Sequence, residues 1–84
     1  MQILKFGADW CSNCKQLSSI LDQTIYAGYV VDIDVDADPY LVGKYSVRSL
    51  PTLIVIDNED KPVDTLVGMK NKRQLDEVLS KYFK

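Results

Sequence analysis

An unbroken apolar run, Leu53-Ile54-Val55-Ile56, constrains the fold of this chain more than any other stretch. A strand that is apolar at every position can turn neither face to water, so it must run inside a sheet covered on both sides. The chain has 84 residues in which to supply those covers. That length is expected to form one domain spanning residues 1–84, near the size at which a little under two thirds of the extended surface is buried.

The flanking segments supply both sheet and covers. Ile3, Leu4 and Phe6 form a short apolar run that stops at Gly7-Ala8 and reads as a buried strand. Lys5 sits inside that run, where a charge needs a partner or a route to water. From Cys11 to about Tyr26 the period becomes helical, with Leu17, Leu21 and Ile25 four apart and Ile20 filling the stripe. Ala27-Gly28 is expected to end this helix, with Gly28 in a left-handed cap. Val30, Val31, Ile33 and Val35 give a second strand, with Asp32, Asp34 and Asp36 on its solvated face.

Asp38-Pro39 then reads as an N-cap followed by proline at the first helical position, opening a short helix that carries Leu41, Val42 and Tyr45. After the central strand, the polar turn Asp57 to Pro62 leads into a hairpin partner, Val63 to Val67, ending at Gly68. Asn71 and Gln74 form a capping-box pattern before a last helix with Leu75, Val78, Leu79, Tyr82 and Phe83 on one face. The order β-α-β-α-β-β-α predicts an α/β domain in which a mixed four-stranded sheet is flanked by three helices.

Composition narrows the partners. Ten basic and twelve acidic residues leave a net charge of −2 with no basic cluster, which argues against nucleic acid or an anionic membrane. No apolar run approaches the roughly 20 residues that span a bilayer. The first seven residues lack the basic region and apolar length of a signal peptide. A cytoplasmic location is expected, and there a close pair of cysteines reads as catalytic or metal-binding instead of structural.

That pair is Cys11-Ser12-Asn13-Cys14, the only cysteine in the chain. The spacing puts both sulfurs in the first turn of the predicted helix, close enough to bridge. Unpaired N–H groups and the positive end of the helix dipole favour a thiolate there, and the thiolate is the nucleophile in disulfide exchange. Cys14 falls on the inward stripe, whereas Cys11 lies at the helix mouth and should be the more exposed. Geometry therefore has Cys11 attack and Cys14 resolve, which implies a thiol–disulfide oxidoreductase.

Metal chemistry fits less well. The chain has no histidine and supplies two thiolates, whereas structural zinc wants four ligands, so only a dimer could complete a site. Lys15 in place of histidine after Cys14 excludes a c-type haem attachment. The alternating aspartates Asp32, Asp34, Asp36 and Asp38 lack the glycine and terminal glutamate of a calcium-binding loop in every register. Neither a metal nor a cofactor is expected. A structural CxxC in a module without redox cycling would show as a disulfide resistant to mild reductant.

Three segments carry a family resemblance. Ala8-Asp9-Trp10-Cys11-x-x-Cys14-Lys15 resembles the active-site motif of thioredoxins. Asp36-x-x-Pro39 and Tyr45-x-Val47-Arg48-Ser49-Leu50-Pro51-Thr52-Leu53 resemble the segment that leads to their cis-proline. Val67-Gly68 with Lys72 and Leu75 resembles their C-terminal glycine and helix. The resemblance implies a thioredoxin-like fold in a minimal version without the N-terminal strand and helix of full-length members. It also implies a cis Pro51 packed against the sulfurs, a Leu50 backbone that pairs with a substrate strand, and a shallow groove bordered by Trp10, Pro51 and Gly68. Disulfide-containing client proteins, a reductase or glutathione as electron donor, and a monomeric state follow from the same resemblance. A glutaredoxin-like, glutathione-coupled activity is the nearest alternative, although the single Gly68 and Trp10 favour thioredoxin.

Five positions depart from the thioredoxin pattern. Ser12-Asn13 replaces the usual Gly-Pro between the cysteines and is expected to tune thiolate stability, and Ser19 replaces a proline one turn into the helix. Lys5 stands where thioredoxins place a buried aspartate that accepts the proton of the resolving cysteine. Asp32 occupies the strand position that is a lysine in many members. The swap predicts that Lys5 and Asp32 pair behind the active site, with Asp32 relaying a proton to or from Cys14.

Overall fold

A computed structural model describes residues 1–83. Its elements follow the predicted order: β1 (Gln2–Gly7), α1 (Ser12–Asp22), a 3-10 turn (Ala27–Tyr29), β2 (Val30–Asp34), α2 (Pro39–Lys44), β3 (Thr52–Ile56), β4 (Pro62–Val67) and α3 (Lys72–Leu79). The strands form one mixed sheet in the order β2-β1-β3-β4, with β1 parallel to β2 and antiparallel to β3, and β4 antiparallel to β3.

All five residues of β3 are buried, as its composition requires. The alternation of side chains across the pleat sorts the core into two halves. Ile3, Leu53 and Val55 face Leu17 and Leu21 of α1 and Leu75 and Leu79 of α3. Leu4, Phe6, Ile54 and Ile56 face the other way, against Leu41 and Val42 of α2 and the neighbouring Tyr45 and Val47. The sheet is thus the middle of three layers. Lys5 shares the pleat face of Ile3, which turns it towards α1.

Local signals set most helix ends. Asp38 accepts from the Leu41 N–H at 3.3 Å with Pro39 in the first turn, as read from the sequence. Asn71 and Gln74 form the reciprocal capping box, with bonds of 2.8 and 2.9 Å. The end of α1 differs from expectation. The Thr24 hydroxyl donates to the Leu21 carbonyl at 2.7 Å and accepts from the Tyr26 N–H, closing the helix four residues before Tyr26.

Ile25 consequently leaves the apolar stripe and is 79% exposed, while Tyr26 takes its place in the core against Phe83. Gly28 lies in the 3-10 turn, and among the described glycines only Gly68 has positive φ. The expected left-handed cap at Gly28 is therefore not formed. α3 also stops earlier than its apolar face, at Leu79, and Phe83 reaches the core from a turn in which its N–H bonds the Leu79 carbonyl at 2.9 Å. Tyr82 donates to Asp64 at 2.9 Å, and that bond together with burial holds its phenol above the ordinary range.

Two stability measurements check this description. Leu21→Ala should cost about 2–5 kcal/mol in urea denaturation, whereas Ile25→Ala should stay within about 0.5 kcal/mol. In the β3–β4 turn, the Lys61 and Glu59 N–H groups donate to Asp57 and hold its carboxyl below the ordinary range. A depressed carboxylate stabilises the fold above its unfolded value and ceases to as the pH falls through its folded value. Asp57→Asn should therefore lose less stability than the parent when urea midpoints at neutral and strongly acid pH are compared.

Candidate active site

Strand register gathers the site at one end of the sheet. β1 ends at Gly7, which lies beside Asp34 at the end of β2. β3 starts at Thr52, which pairs with Phe6 on one side and with Val67, the end of β4, on the other. The loop from β1 to the cysteines, the segment ending at Pro51, and Gly68 all emerge from that same edge.

Cys11 is the N-cap of α1. Its backbone is extended (φ −96°, ψ 104°) and its Sγ accepts the Cys14 N–H at 3.2 Å, so the sulfur meets one of the helix's unpaired donors. No acidic residue stands in the first turn to oppose a negative sulfur. Ser12 and Asn13 are exposed between the cysteines. The two sulfurs are bonded to each other, with the Cα atoms 5.3 Å apart. Cys11 is 9% exposed and Cys14 2%, the order that the helix geometry predicted.

The residues expected to border a groove stand at this end of the sheet. Trp10 is 70% exposed, and its Nε1 donates to Asp36 at 2.9 Å. The Leu50–Pro51 peptide is cis. The Gly68 N–H donates to the Pro51 carbonyl at 2.8 Å, tying this loop to the end of β4, and Gly68 turns away with φ 85°. Among the described residues, the N–H and C=O of Leu50 enter no turn or loop hydrogen bond.

Behind the sulfurs lies a second feature. Lys5 is only 5% exposed, and its Nζ lies 3.5 Å from Oδ1 of Asp32, its register partner on β2, whose side chain is 75% exposed. The predicted pairing is present. Both groups line a cleft of about 220 Å³ that also reaches Cys14, Asp9, Lys15 and Asp34. Gly7 is the floor of this contact: a Cβ there would sit 3.2 Å from the Cys14 Cβ and Sγ and 3.4 Å from the Lys5 Nζ.

Sequence reasoning did not assign Asp36 as the anchor of Trp10, nor Gly7 as the residue that lets Cys14 approach the sheet. Glycine at the end of an apolar strand is the available signal for such a close backbone approach. Among the described residues no group of three or more potential ligands could hold a metal ion.

The thioredoxin family model matches residues 1–81. The chain belongs to the thioredoxin family. Thioredoxin from Staphylococcus aureus is 40% identical over 86 aligned positions, covering 98% of this chain and 82% of that one. Among solved structures, thioredoxin-2, described as a component of the malaria parasite protein secretion machinery, matches with TM-score 0.83 and 30% identity over 95% of this chain and 81% of its own. A mutant thioredoxin from Halobacterium salinarum matches with TM-score 0.82 and 31% identity over 98% of this chain and 74% of its own. Family membership and the bonded Cys11–Cys14 pair make this protein a thiol–disulfide oxidoreductase that acts on disulfide-containing substrates.

The close packing at Gly7 is directly testable. Gly7→Ala should push the Cys14 side chain off the sheet, cost about 1–3 kcal/mol in denaturation, and slow reduction of a model disulfide such as insulin.

Proposed function

We propose that this thioredoxin reduces protein disulfides with Cys11 as the entering nucleophile and Cys14 as the resolving thiol. The observation that carries the reading is the Cys11 sulfur at the N-cap of α1, more exposed than Cys14 and accepting a helix N–H. The same donor that meets the sulfur here would stabilise a Cys11 thiolate in the reduced protein. That thiolate attacks a client disulfide, one client sulfur leaves with the electron pair, and a Cys11–client mixed disulfide forms. Cys14 then attacks the Cys11 sulfur and releases the second client thiol.

The client lies across this end of the sheet in this reading. The free Leu50 backbone groups pair with an extended client segment, as in strand addition to an exposed edge, and Trp10, Pro51 and Gly68 border the groove. Ser12 and Asn13 tune the thiolate from the first turn. We further propose that the protein works as a monomer in the cytoplasm and is recharged by a reductase or by glutathione. Equilibration in glutathione redox buffers separates these donors: a potential near about −270 mV requires a reductase, and one near about −200 mV permits glutathione.

Trapping tests the division of roles. Cys14→Ser should accumulate a mixed disulfide between Cys11 and a disulfide-containing client, resolved on a non-reducing gel and released by dithiothreitol. Cys11→Ser should accumulate none and should lose insulin reduction. Equal trapping by the two variants would reverse or abolish the assignment.

A further inference from the structure

Among the described residues, Lys5 carries the one buried charge in contact range of the reacting sulfurs. It lies in the middle of β1, between β2 and β3, where an ammonium is costly unless something offsets it. Its carboxylate partner offsets this only in part, because Asp32 is three-quarters exposed and screened by water. The Lys5 Nζ and the Cys14 Sγ both lie within 3.4 Å of the point where a Gly7 Cβ would be. They therefore border the same small space, close enough to interact through one water in the shared cleft.

We propose that Lys5 holds the resolving Cys14 as a thiolate, so that resolution proceeds without a carboxylate base. Lys5 is a positioning residue in this scheme, and the largely exposed Asp32 takes no proton from Cys14. The inference rests on the exchange reading above. In the resolving step the Cys14 thiolate, its proton already lost to water in the cleft, attacks Cys11 Sγ with a sulfur lone pair. The Cys11–Cys14 bond forms as the Cys11–client bond breaks, and the client sulfur leaves with the electron pair and takes a proton from water. The cysteine pair is oxidised by two electrons and the client disulfide is reduced by two.

The other charges facing this sulfur are few. Asp9 and Lys15 come from the loop before α1 and from α1 itself, Asp32 and Asp34 from β2, and all four are exposed. Their fields are screened and of mixed sign, whereas Lys5 is enclosed. A thiolate at Cys11 would oppose one at Cys14, so the two sulfurs titrate as a coupled pair.

The test isolates Cys14 in the Cys11→Ser protein and follows thiolate absorbance against pH. It needs no turnover, so its failure leaves the roles of Cys11 and Cys14 to the trapping experiment. Lys5→Met should raise the Cys14 titration midpoint and lower the thiolate fraction at neutral pH at least tenfold. Lys5→Arg should keep the midpoint low, and Asp32→Asn should leave it or lower it. In the protein with both cysteines, Lys5→Met should move the equilibrium with glutathione towards the disulfide by a similar factor. Lys5→Gln repeats both measurements should the methionine variant not fold. An unchanged midpoint on neutralising Lys5, or a midpoint raised by Asp32→Asn, would overturn the proposal.

Discussion

Everything at the active end of this thioredoxin depends on how closely α1 can approach β1. Gly7 has no side chain, so the first turn of the helix lies against strand backbone, with the Cys14 sulfur only 3.2 Å from where a Cβ would stand. That approach seals Cys14 while Cys11, one turn earlier at the helix cap, keeps the larger share of its surface open. The difference between the two cysteines is therefore one of packing. The CxxC motif places two sulfurs in one turn, and the sheet beneath decides which of them meets a client.

The same approach puts a charge where most strands would carry an apolar residue. Lys5 shares the face of Ile3, Leu53 and Val55, and its neighbours on that face form the main core. A lysine there is tolerable because its chain end reaches the cleft and Asp32 stands at the same register level on the parallel neighbour. Burying an ion without such an outlet costs several kcal/mol, and removing one partner of such a pair is more disruptive than replacing both. The protein thus keeps a polar channel behind its sulfurs with the signs of charge distributed differently from the usual family pattern.

Much of the layered fold was legible in advance because it rests on local rules. The fully apolar β3, the Asp38-Pro39 start and the Asn71–Gln74 box each answer to a physical demand that neighbouring residues meet among themselves. The Lys5–Asp32 pair was legible from the strand positions of two opposite charges. The end of α1 was not. Helical periodicity carried the apolar stripe to Ile25, but the Thr24 hydroxyl competed for the Leu21 carbonyl and ended the helix first. Side-chain competition of this kind leaves no trace in a periodic pattern, and the exposed Ile25 and buried Tyr26 are its result.

By itself the sequence determined the chemistry: two thiols three residues apart at a helix start, a strand that must be covered on both faces, and the absence of histidine or a third cysteine. Only the tertiary structure decided what surrounds that chemistry. Asp36, Pro51 and Gly68 are distant from the cysteines in sequence, and strand register brings their segments to the same end of the sheet. The contact between Lys5 and the surroundings of Cys14 likewise exists only through the packing of α1 on β1. Spacing along a chain sets local geometry through fixed bond angles and helical rise. Proximity between remote segments is set by which faces must hide from water, and that is resolved only when the whole sheet closes.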